Sequence, residues 1–517
     1  MMPKIRIFRS GELIAQTEAI IGETLLDRIN AVGVFIDAPC GGKGRCGKCL
    51  VRLSPEGEQI LACKTLIEKD TDIYLPEEMD MMIAGAESSA SLNLADRPYP
   101  PSQGKKLGVA IDVGTTTVVA HLTDIVSGMR IATASGVNAQ RPYGADVISR
   151  IQYCAENGHA RLTQLIREQI ESLIRHTCTI SGERARDIGY IAIAANTIMQ
   201  HLAAGFSPVG MGVAPFEPVS YFGDEHPAWD GLAVGRGAKI YYAPAISAYV
   251  GGDITAGMLA AKLNETNGPT VYLDIGTNGE IAMKSGATYY CCATAAGPAF
   301  EGAEITMGMA AISGAINHVK WEDGMKLSII GEKEPQGLCG SGLLDALAVL
   351  LDTGAVDETG RLLDPDEIDH AIAEHIGKVC DENVFWLSKT GDGVYMSAKD
   401  IRKLQLAKAA IAAGIYTLLQ QAGFAANEVK SFVLAGGFGS YMDHVSAAKI
   451  GLFPEEFLPI TQTMGNTAGE GAALAVRSAE ARVALDEIRA HCEYVELSTS
   501  KVFNDAFIEH ILFNQAI

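Results

Sequence analysis

Four cysteines pose the first chemical question. Cys40, Cys46 and Cys49 lie on the loop Cys40-Gly-Gly-Lys-Gly-Arg-Cys46-Gly-Lys-Cys49, and Cys63 follows after thirteen residues. Gly41, Gly42, Gly44 and Gly47 let this loop turn tightly and leave backbone N–H groups free to face something negative. Thiolates on one tight loop, joined by one from a neighbouring segment, are the ligand set of a small iron–sulfur cluster. The spacing C-x5-C-x2-C…C is one residue longer in its first gap than the C-x4-C-x2-C…C pattern that holds a 2Fe-2S centre. Zinc sites favour two C-x2-C pairs, and this stretch has one. Disulfides need an oxidising compartment, which nothing in the sequence indicates. Iron–sulfur chemistry accounts for the spacing best.

A second chemistry is written twice. Ile111-Asp112-Val113-Gly114-Thr115-Thr116-Thr117 recurs as Leu273-Asp274-Ile275-Gly276-Thr277-Asn278-Gly279, at an offset of 162 residues. Each copy puts an acid at the end of an apolar strand, then a Gly-Thr turn, then a returning strand. Backbone N–H groups and threonine hydroxyls in such a turn can cradle phosphate, while the carboxylate can hold Mg²⁺ through water. Two copies at domain-scale separation predict two lobes facing one nucleotide.

Phe432-Val-Leu-Ala-Gly436-Gly437-Phe438-Gly439-Ser440 adds a third piece, an apolar strand running into glycines that open a helix. Glycines there allow close backbone approach to a flat or phosphorylated ligand. The spacing is not G-x-G-x-x-G, and no G-x-x-x-x-G-K-[ST] loop occurs. The predicted nucleotide site is therefore neither Rossmann nor P-loop.

These residues need elements to hold them. In residues 1–76, Ile5–Phe8 and Leu13–Ala15 read as a hairpin about Ser10-Gly11-Glu12, residues 24–33 as a helix, Cys49–Leu53 and Ile73–Leu75 as strands. Residues 77–106 carry Ser88-Ser-Ala-Ser and Arg97-Pro-Tyr-Pro-Pro-Ser, the composition of a linker. Residues 107–270 and 271–480 are expected to form the two lobes, and 481–517 an extension packed on them. Leu343–Leu351 and Leu404–Gln420 read as buried apolar helices. The expected class is mixed α+β and α/β, in several domains.

Composition bounds the partners. The 517 residues are 48% apolar and 20% charged, with 55 glycines and a formal net charge of −21. Such an acidic chain argues against nucleic acid or an anionic membrane as a main partner. No apolar run is long enough for a transmembrane helix, and the alternating Met1–Arg9 segment lacks the apolar core of a signal peptide. The other seven of the 11 cysteines show no ligand spacing. The expected location is the cytoplasm.

The order hairpin, helix, cysteine loop, strands resembles the β-grasp 2Fe-2S ferredoxins. Asp112–Thr117, Asp274–Glu280 and Gly436–Ser440 resemble the phosphate 1, phosphate 2 and adenosine motifs of the sugar kinase, heat-shock chaperone and actin superfamily, with its two RNase H-like lobes clasping ATP·Mg²⁺. That resemblance implies that Asp112 and Asp274 organise Mg²⁺ and the attacking water. It implies that Gly114, Thr115, Thr116, Gly276, Thr277 and Asn278 hold phosphates, and that Gly436 and Gly437 lie along the adenosine. A ferredoxin-like module ahead of such an ATPase resembles the reductive activators of corrinoid proteins. Several stretches are similar to that family as they stand: Asn138–Arg150, Asn196–Leu202, Ala248–Thr255, Gly297–Gly302, Gly337–Leu344 and Asp400–Gln405. The resemblance implies one-electron reduction of Co(II) in a corrinoid protein, a low-potential electron donor and homodimerisation. Activators of 2-hydroxyacyl-CoA dehydratases also join this ATPase fold to electron transfer, and a redox-sensing nucleotide-binding module is a third reading.

Several motif residues have plain structural readings. His201 is expected as a satisfied core histidine, and Cys291-Cys292 as core. Asp253 and Ser341 read equally as helix caps or site residues. Glu301 reads as a Mg²⁺ contact or a turn residue.

Overall fold

The computed structural model describes residues 2–9, 11–32, 34, 36, 49–76, 105–302, 304–391 and 393–513. Cys49 and Cys63 fall within them. Cys40, Cys46 and all but the last two residues of the expected 77–106 linker lie outside the described residues.

Alternation builds the N-terminal sheet. In β1 (Lys4–Arg9), Ile5 and Ile7 are buried while Lys4 and Arg6 face solvent. β1 pairs antiparallel with β2 (Glu12–Glu18), as the hairpin reading expects. Thr24 precedes α1 (Leu25–Ala31), and its hydroxyl oxygen accepts a hydrogen bond from Asp27 N–H (3.1 Å). β3 (Leu50–Val51) and β4 (Ile60–Leu61) form a short antiparallel pair, and β5 (Thr71–Leu75) returns parallel to β1. Leu25, Leu26, Ile29, Val51 and Ile73 close this core.

The two Asp-x-Gly-Thr copies each nucleate a six-stranded sheet. The first lobe runs β6 (Leu107–Val113), β7 (Thr117–Asp124), β8 (Arg130–Val137), α2 (Val147–Asn157), α3 (Ala160–Ser181), β9 (Ile188–Ala195), α4 (Thr197–Ala204), β10 (Glu225–Pro227), β11 (Lys239–Tyr242) and α5 (Gly252–Ala260). Its strand order is β10-β11-β9-β6-β7-β8. β6 and β9 lie inside this sheet as near-continuous apolar runs, as strands covered on both faces must be.

The second lobe opens with β12 (Thr270–Ile275), β13 (Gly279–Ser285) and β14 (Thr288–Thr294). An insertion follows: β15 (Ala315–Trp321), β16 (Met325–Ile329), β17 (Gly337–Leu338), α6 (Gly340–Asp352), α7 (His370–Ala373), β18 (Ile376–Val379), β19 (Glu382–Ser388) and β20 (Val394–Ser397). The chain then continues through α8 (Ala398–Ala422), β21 (Ser431–Ala435), α9 (Gly436–Gly439), α10 (His444–Lys449), β22 (Thr461–Thr463), α11 (Thr467–Arg477), α12 (Ala479–Ala490), β23 (Cys492–Tyr494) and α13 (Lys501–Glu509). The sheet order is β22-β21-β12-β13-β14-β23. Set beside β11-β9-β6-β7-β8, the order and the parallel or antiparallel sense of each pair are the same. The repeat seen in sequence is a repeat of fold.

Each lobe has its own core, and a third core joins them. It gathers Ala110, Ala192, Ala256, Tyr272, Val433, Leu474 and Leu485 around α5 and α11. These helices cross closely: a Cβ added at Gly471 would sit 2.1 Å from the Ala256 carbonyl oxygen. The last residues build on both lobes, since α12 packs against α5 while β23 extends the second sheet. Among the described residues no helix is long and apolar enough to cross a membrane.

Candidate functional site

The cleft between the lobes collects the strand ends that sequence singled out. Asp112 closes β6 and Asp274 closes β12, each at the carboxyl end of an interior strand. Gly114, Thr115 and Thr116 form the β6–β7 turn; Gly276, Thr277 and Asn278 form the β12–β13 turn. A Cβ at Gly276 would meet nothing within 4 Å, so this turn borders open space of the kind a phosphate needs. Gly436 is required on two counts. Its φ is +85°, and a Cβ there would lie 2.5 Å from Asp274 Oδ1. Gly437 follows it, exposed, at the start of α9.

The two turns meet at one carboxylate. Thr277 Oγ1 donates to Glu301 Oε1 (3.2 Å), and Thr116 Oγ1 donates to Glu301 Oε2 (3.4 Å). Thr115 Oγ1 accepts from Asn196 Nδ2 (3.2 Å), which leaves its own proton to donate elsewhere. Asn278 hydrogen-bonds Glu280.

Negative charge is concentrated here. Asp112, Asp253, Asp274, Glu280 and Glu301 each keep an edge open to solvent. Protein atoms nevertheless crowd them, and loss of hydration dominates. Burial pushes Asp112 up to about 7 against a hydrogen bond from Asn466, with Asp274 adding to the rise. Asp274 is pushed up to about 6 by burial, against the hydrogen bond from Tyr272. Asp253 goes to about 8 through burial and the charges of Asp274 and Asp112. Burial raises Glu280 well above the carboxylate range, and raises Glu301 against hydrogen bonds from both threonines. Asp274 and Glu280 are direct cross-strand partners, a like-charge pairing that is unfavourable unless neutralised. Among the described residues no three such side chains converge closely enough to ligate a metal directly. The donor set fits a hard divalent ion held partly through water, as Mg²⁺ is.

Residues behind the cleft were not assigned roles from sequence. Arg150 is fully buried, donating to the Thr115 carbonyl oxygen (2.6 Å), Gly144 O (3.0 Å) and Gln140 Oε1 (3.1 Å). Asn138 Nδ2 donates to Gly114 O (2.8 Å). Both lie in the Asn138–Arg150 stretch, whose density of polar residues running into an amphipathic helix was the available signal. Two cap readings are corrected. Gly251 occupies the cap position of α5 and Asp253 sits inside its first turn; Cys339 caps α6, and Ser341 Oγ instead donates to Asn317 O (2.8 Å). His201 is a core residue, accepting from Val219 N–H (3.0 Å) and bonding the Thr197 carbonyl (2.7 Å). Cys291 and Cys292 are buried.

In the N-terminal region, Ala62 N–H donates to Cys49 O (2.8 Å) beside the β3–β4 pair, which brings Cys49 and Cys63 onto neighbouring segments. Cys49 is buried and Cys63 partly exposed. Their placement fits two of the four thiolates that a 2Fe-2S cluster needs.

A cysteine-bearing β-grasp region followed by twin RNase H-like lobes defines an iron–sulfur protein of the actin-like ATPase fold. Residues 12–68 match the 2Fe-2S iron–sulfur cluster binding domain, 107–266 the RACo middle region, and 268–516 the C-terminal domain of RACo, the ASKHA domain. The chain is 31% identical to the corrinoid activation enzyme RamQ of Eubacterium limosum, over 96% of this chain and 97% of that relative. It is 24% identical to a [Co(II) methylated amine-specific corrinoid protein] reductase of Methanosarcina barkeri, over 78% and 76% of the two chains. The solved structure of a reductive activator for corrinoid, iron–sulfur protein superposes with a TM-score of 0.71 at 28% identity, covering 99% of this chain and 98% of that one. The chain belongs to the RACo-type family of reductive activators of corrinoid proteins.

Proposed function

We propose that the protein transfers one electron to the Co(II) state of a corrinoid protein, restoring Co(I), and that ATP bound between its lobes drives the transfer. The observation carrying this reading is the convergence of Thr116 and Thr277, one from each repeated turn, on a single point beside the carboxylates. Two phosphate loops meeting there suit a nucleotide whose phosphates span the lobes. The near end-to-end similarity to RamQ supplies the corrinoid partner.

In this reading Cys40, Cys46, Cys49 and Cys63 hold the 2Fe-2S cluster, which supplies a low-potential electron when reduced by an external donor. Asp112 and Asp274 position Mg²⁺ through water. Gly114, Thr115, Thr116, Gly276 and Thr277 hold phosphates, Asn278 keeps Glu280 in place beside them, and Gly436 and Gly437 flank the adenosine. Residues 77–106 tether the cluster domain to lobes at 107–270 and 271–480. A cytoplasmic location and a homodimer complete the proposal.

The thermodynamics explain the need for ATP. Plant-type 2Fe-2S centres lie near about −400 mV. A donor roughly 100–200 mV short of its acceptor leaves about 2% to 0.04% of the acceptor reduced, at ~59 mV per tenfold. Lobe closure on nucleotide changes the fit to the Co(II) partner, and differential affinity is what shifts such an equilibrium. The test is to reconstitute the cluster, supply a low-potential reductant, and follow a Co(II) corrinoid protein optically with and without ATP. ATP-stimulated formation of Co(I) is expected. Reduction that ignores ATP, or none with any corrinoid partner, overturns the reading.

A further inference from the structure

Glu301 stands where nothing in the phosphate-loop pattern places a residue. It is the point at which the first lobe's turn and the second lobe's turn are joined, through Thr116 Oγ1 at 3.4 Å and Thr277 Oγ1 at 3.2 Å. Hydroxyls that donate to a carboxylate are equally able to donate to a phosphate, because both present anionic oxygens as acceptors only. Glu301 thus occupies the hydrogen-bond donors that ATP's phosphates would use.

The support beneath Glu301 is rigid. It ends a single 3-10 turn, Pro298–Glu301, bounded by Gly297 (φ +74°) and Gly302 (φ +73°). Phe300, next to it, is fully buried and stacks on Phe438 of the adenosine segment with ring centroids 5.6 Å apart. A Cβ at Gly340 would sit 2.0 Å from the Phe300 carbonyl oxygen, so the start of α6 closes the other side. A Cβ at Gly302 would meet the Met309 backbone at 2.9 Å. These contacts pack the backbone on both sides, which leaves the side-chain torsions as the freest way for the carboxylate to move.

We infer that Glu301 is a catalytic residue: it holds the two phosphate loops through their threonines and, once phosphate takes those hydroxyls, positions the attacking water and accepts its proton. This rests on the reading of the cleft as an ATP site. Hydrolysis then balances simply. The water oxygen bonds to the γ-phosphorus and the bond from phosphorus to the bridging oxygen breaks, its electron pair staying with ADP. The water proton passes to Glu301 and from there to the inorganic phosphate released. Asp112 and Asp274, at the strand ends, are left the separate task of holding the metal.

The experiment compares Glu301→Gln with the natural full-length chain. Equilibrium binding of Mg·ATP and single-turnover hydrolysis are measured on the same samples, with a thermal melt to check folding. A general base contributes about 10²–10⁴-fold. The expected result is hydrolysis lowered at least about 100-fold, with ATP bound as tightly as by the natural chain or more tightly, since the amide oxygen still accepts from one threonine, its NH2 can donate to the hydroxyl oxygen of the other, and no negative charge repels phosphate. Hydrolysis within about tenfold of the natural rate overturns the inference, as does loss of ATP binding in proportion to loss of hydrolysis. Should the amide variant fail to fold, Glu301→Asp takes its place: retained binding with at least about tenfold slower hydrolysis is expected, and an unchanged rate overturns it. Absence of ATP binding by the natural chain brings down the nucleotide reading itself, a result distinct from either.

Discussion

Tyr272 and Thr467, 195 residues apart in sequence, share a hydrogen bond of 2.8 Å between their hydroxyls in the core that joins the lobes. The same tyrosine hydroxyl donates to Asp274 Oδ2 at 3.2 Å. It is pressed against α5, since a Cβ at Gly257 would lie 2.0 Å from it. One fully buried hydroxyl thus touches a cleft carboxylate, the first turn of α11 and the backbone of α5. Any sliding of α5 past α11 disturbs the hold on Asp274. Motion of the lobes and chemistry at the cleft share this residue.

Tyr272→Phe is accordingly expected to lower ATP turnover while ATP still binds. Thr467 Oγ1 loses its partner, so stability should fall by about 1–3 kcal/mol. Thr467→Val should behave alike, and the double variant should be little worse than either alone, because both remove one chain of bonds. Denaturant melts and saturating-ATP turnover on the three variants check this. Additive losses would show two independent roles.

Stability of the nucleotide-free protein should decline with rising pH across the neutral range. Asp274, Asp112 and Asp253 bind protons more tightly folded, at about 6, 7 and 8, than at the ordinary 3.8. Folding therefore takes up protons, and the stability this contributes is full below pH 3.8 and is lost as pH climbs through those values. Asp253→Asn removes one of the charges. It should raise stability by about 2 kcal/mol at pH 8.5, less than the full shift implies because the carboxylate keeps a solvent-facing edge, and by less than half as much at pH 5.5. Thermal melts of both proteins at the two pH values check it. Mg·ATP should narrow the difference at pH 8.5 by supplying the missing positive charge to the natural chain.

The site was legible where its residues are consecutive. An acid ending an apolar strand and followed by Gly-Thr needs only local geometry, so Asp112, Gly114, Asp274, Gly276 and Gly436 could be placed from the chain alone. Cys49 and Cys63 stood out by their spacing, and the structure places them on neighbouring segments. What brings distant segments together was not. Arg150 reads as an ordinary charge on an amphipathic helix, although its side chain turns inward to the Thr115 carbonyl. Glu280 reads as the polar half of an alternating strand, yet the pleat that exposes it places it opposite Asp274. Asp253 and Ser341 stayed ambiguous because both follow glycine at a helix start. The extended residue that caps each helix proved to be Gly251 or Cys339, two positions earlier in each case.

Arg150 supports the Gly114–Thr116 turn from behind, and its replacement should separate charge from geometry. Its guanidinium spreads over three oxygen acceptors at 2.6, 3.0 and 3.1 Å. Lysine keeps the charge but cannot reproduce that fork. Arg150→Lys is expected to cost roughly 2–3 kcal/mol of stability through buried acceptors left unmet. ATP affinity should fall about tenfold, the equivalent of ~1.4 kcal/mol, as the Thr115 turn loosens. Calorimetric titration with ATP, alongside melts, reads both. An unchanged affinity would mean that the turn holds its shape without the arginine.

The cluster and the cleft should fail separately. Cys49 and Cys63 lie in a region with its own core, built from Ile5, Ile7, Leu25, Ile29 and Ile73, whereas the cleft residues belong to the two lobe sheets and the core between them. Cys49→Ser replaces a thiolate with a hydroxyl, a poor ligand for iron at neutral pH. It should abolish the visible absorbance and iron content of the reconstituted cluster, while ATP binding stays within about twofold. Asp274→Asn should do the reverse: a normal cluster spectrum, with ATP-stimulated Co(II) reduction lost. Loss of the cluster on replacing Asp274, or of ATP binding on replacing Cys49, would mean that the two regions fold as one unit. The electron would then leave a cluster whose integrity depends on the nucleotide site, and ATP would act on the donor rather than on the complex with the acceptor.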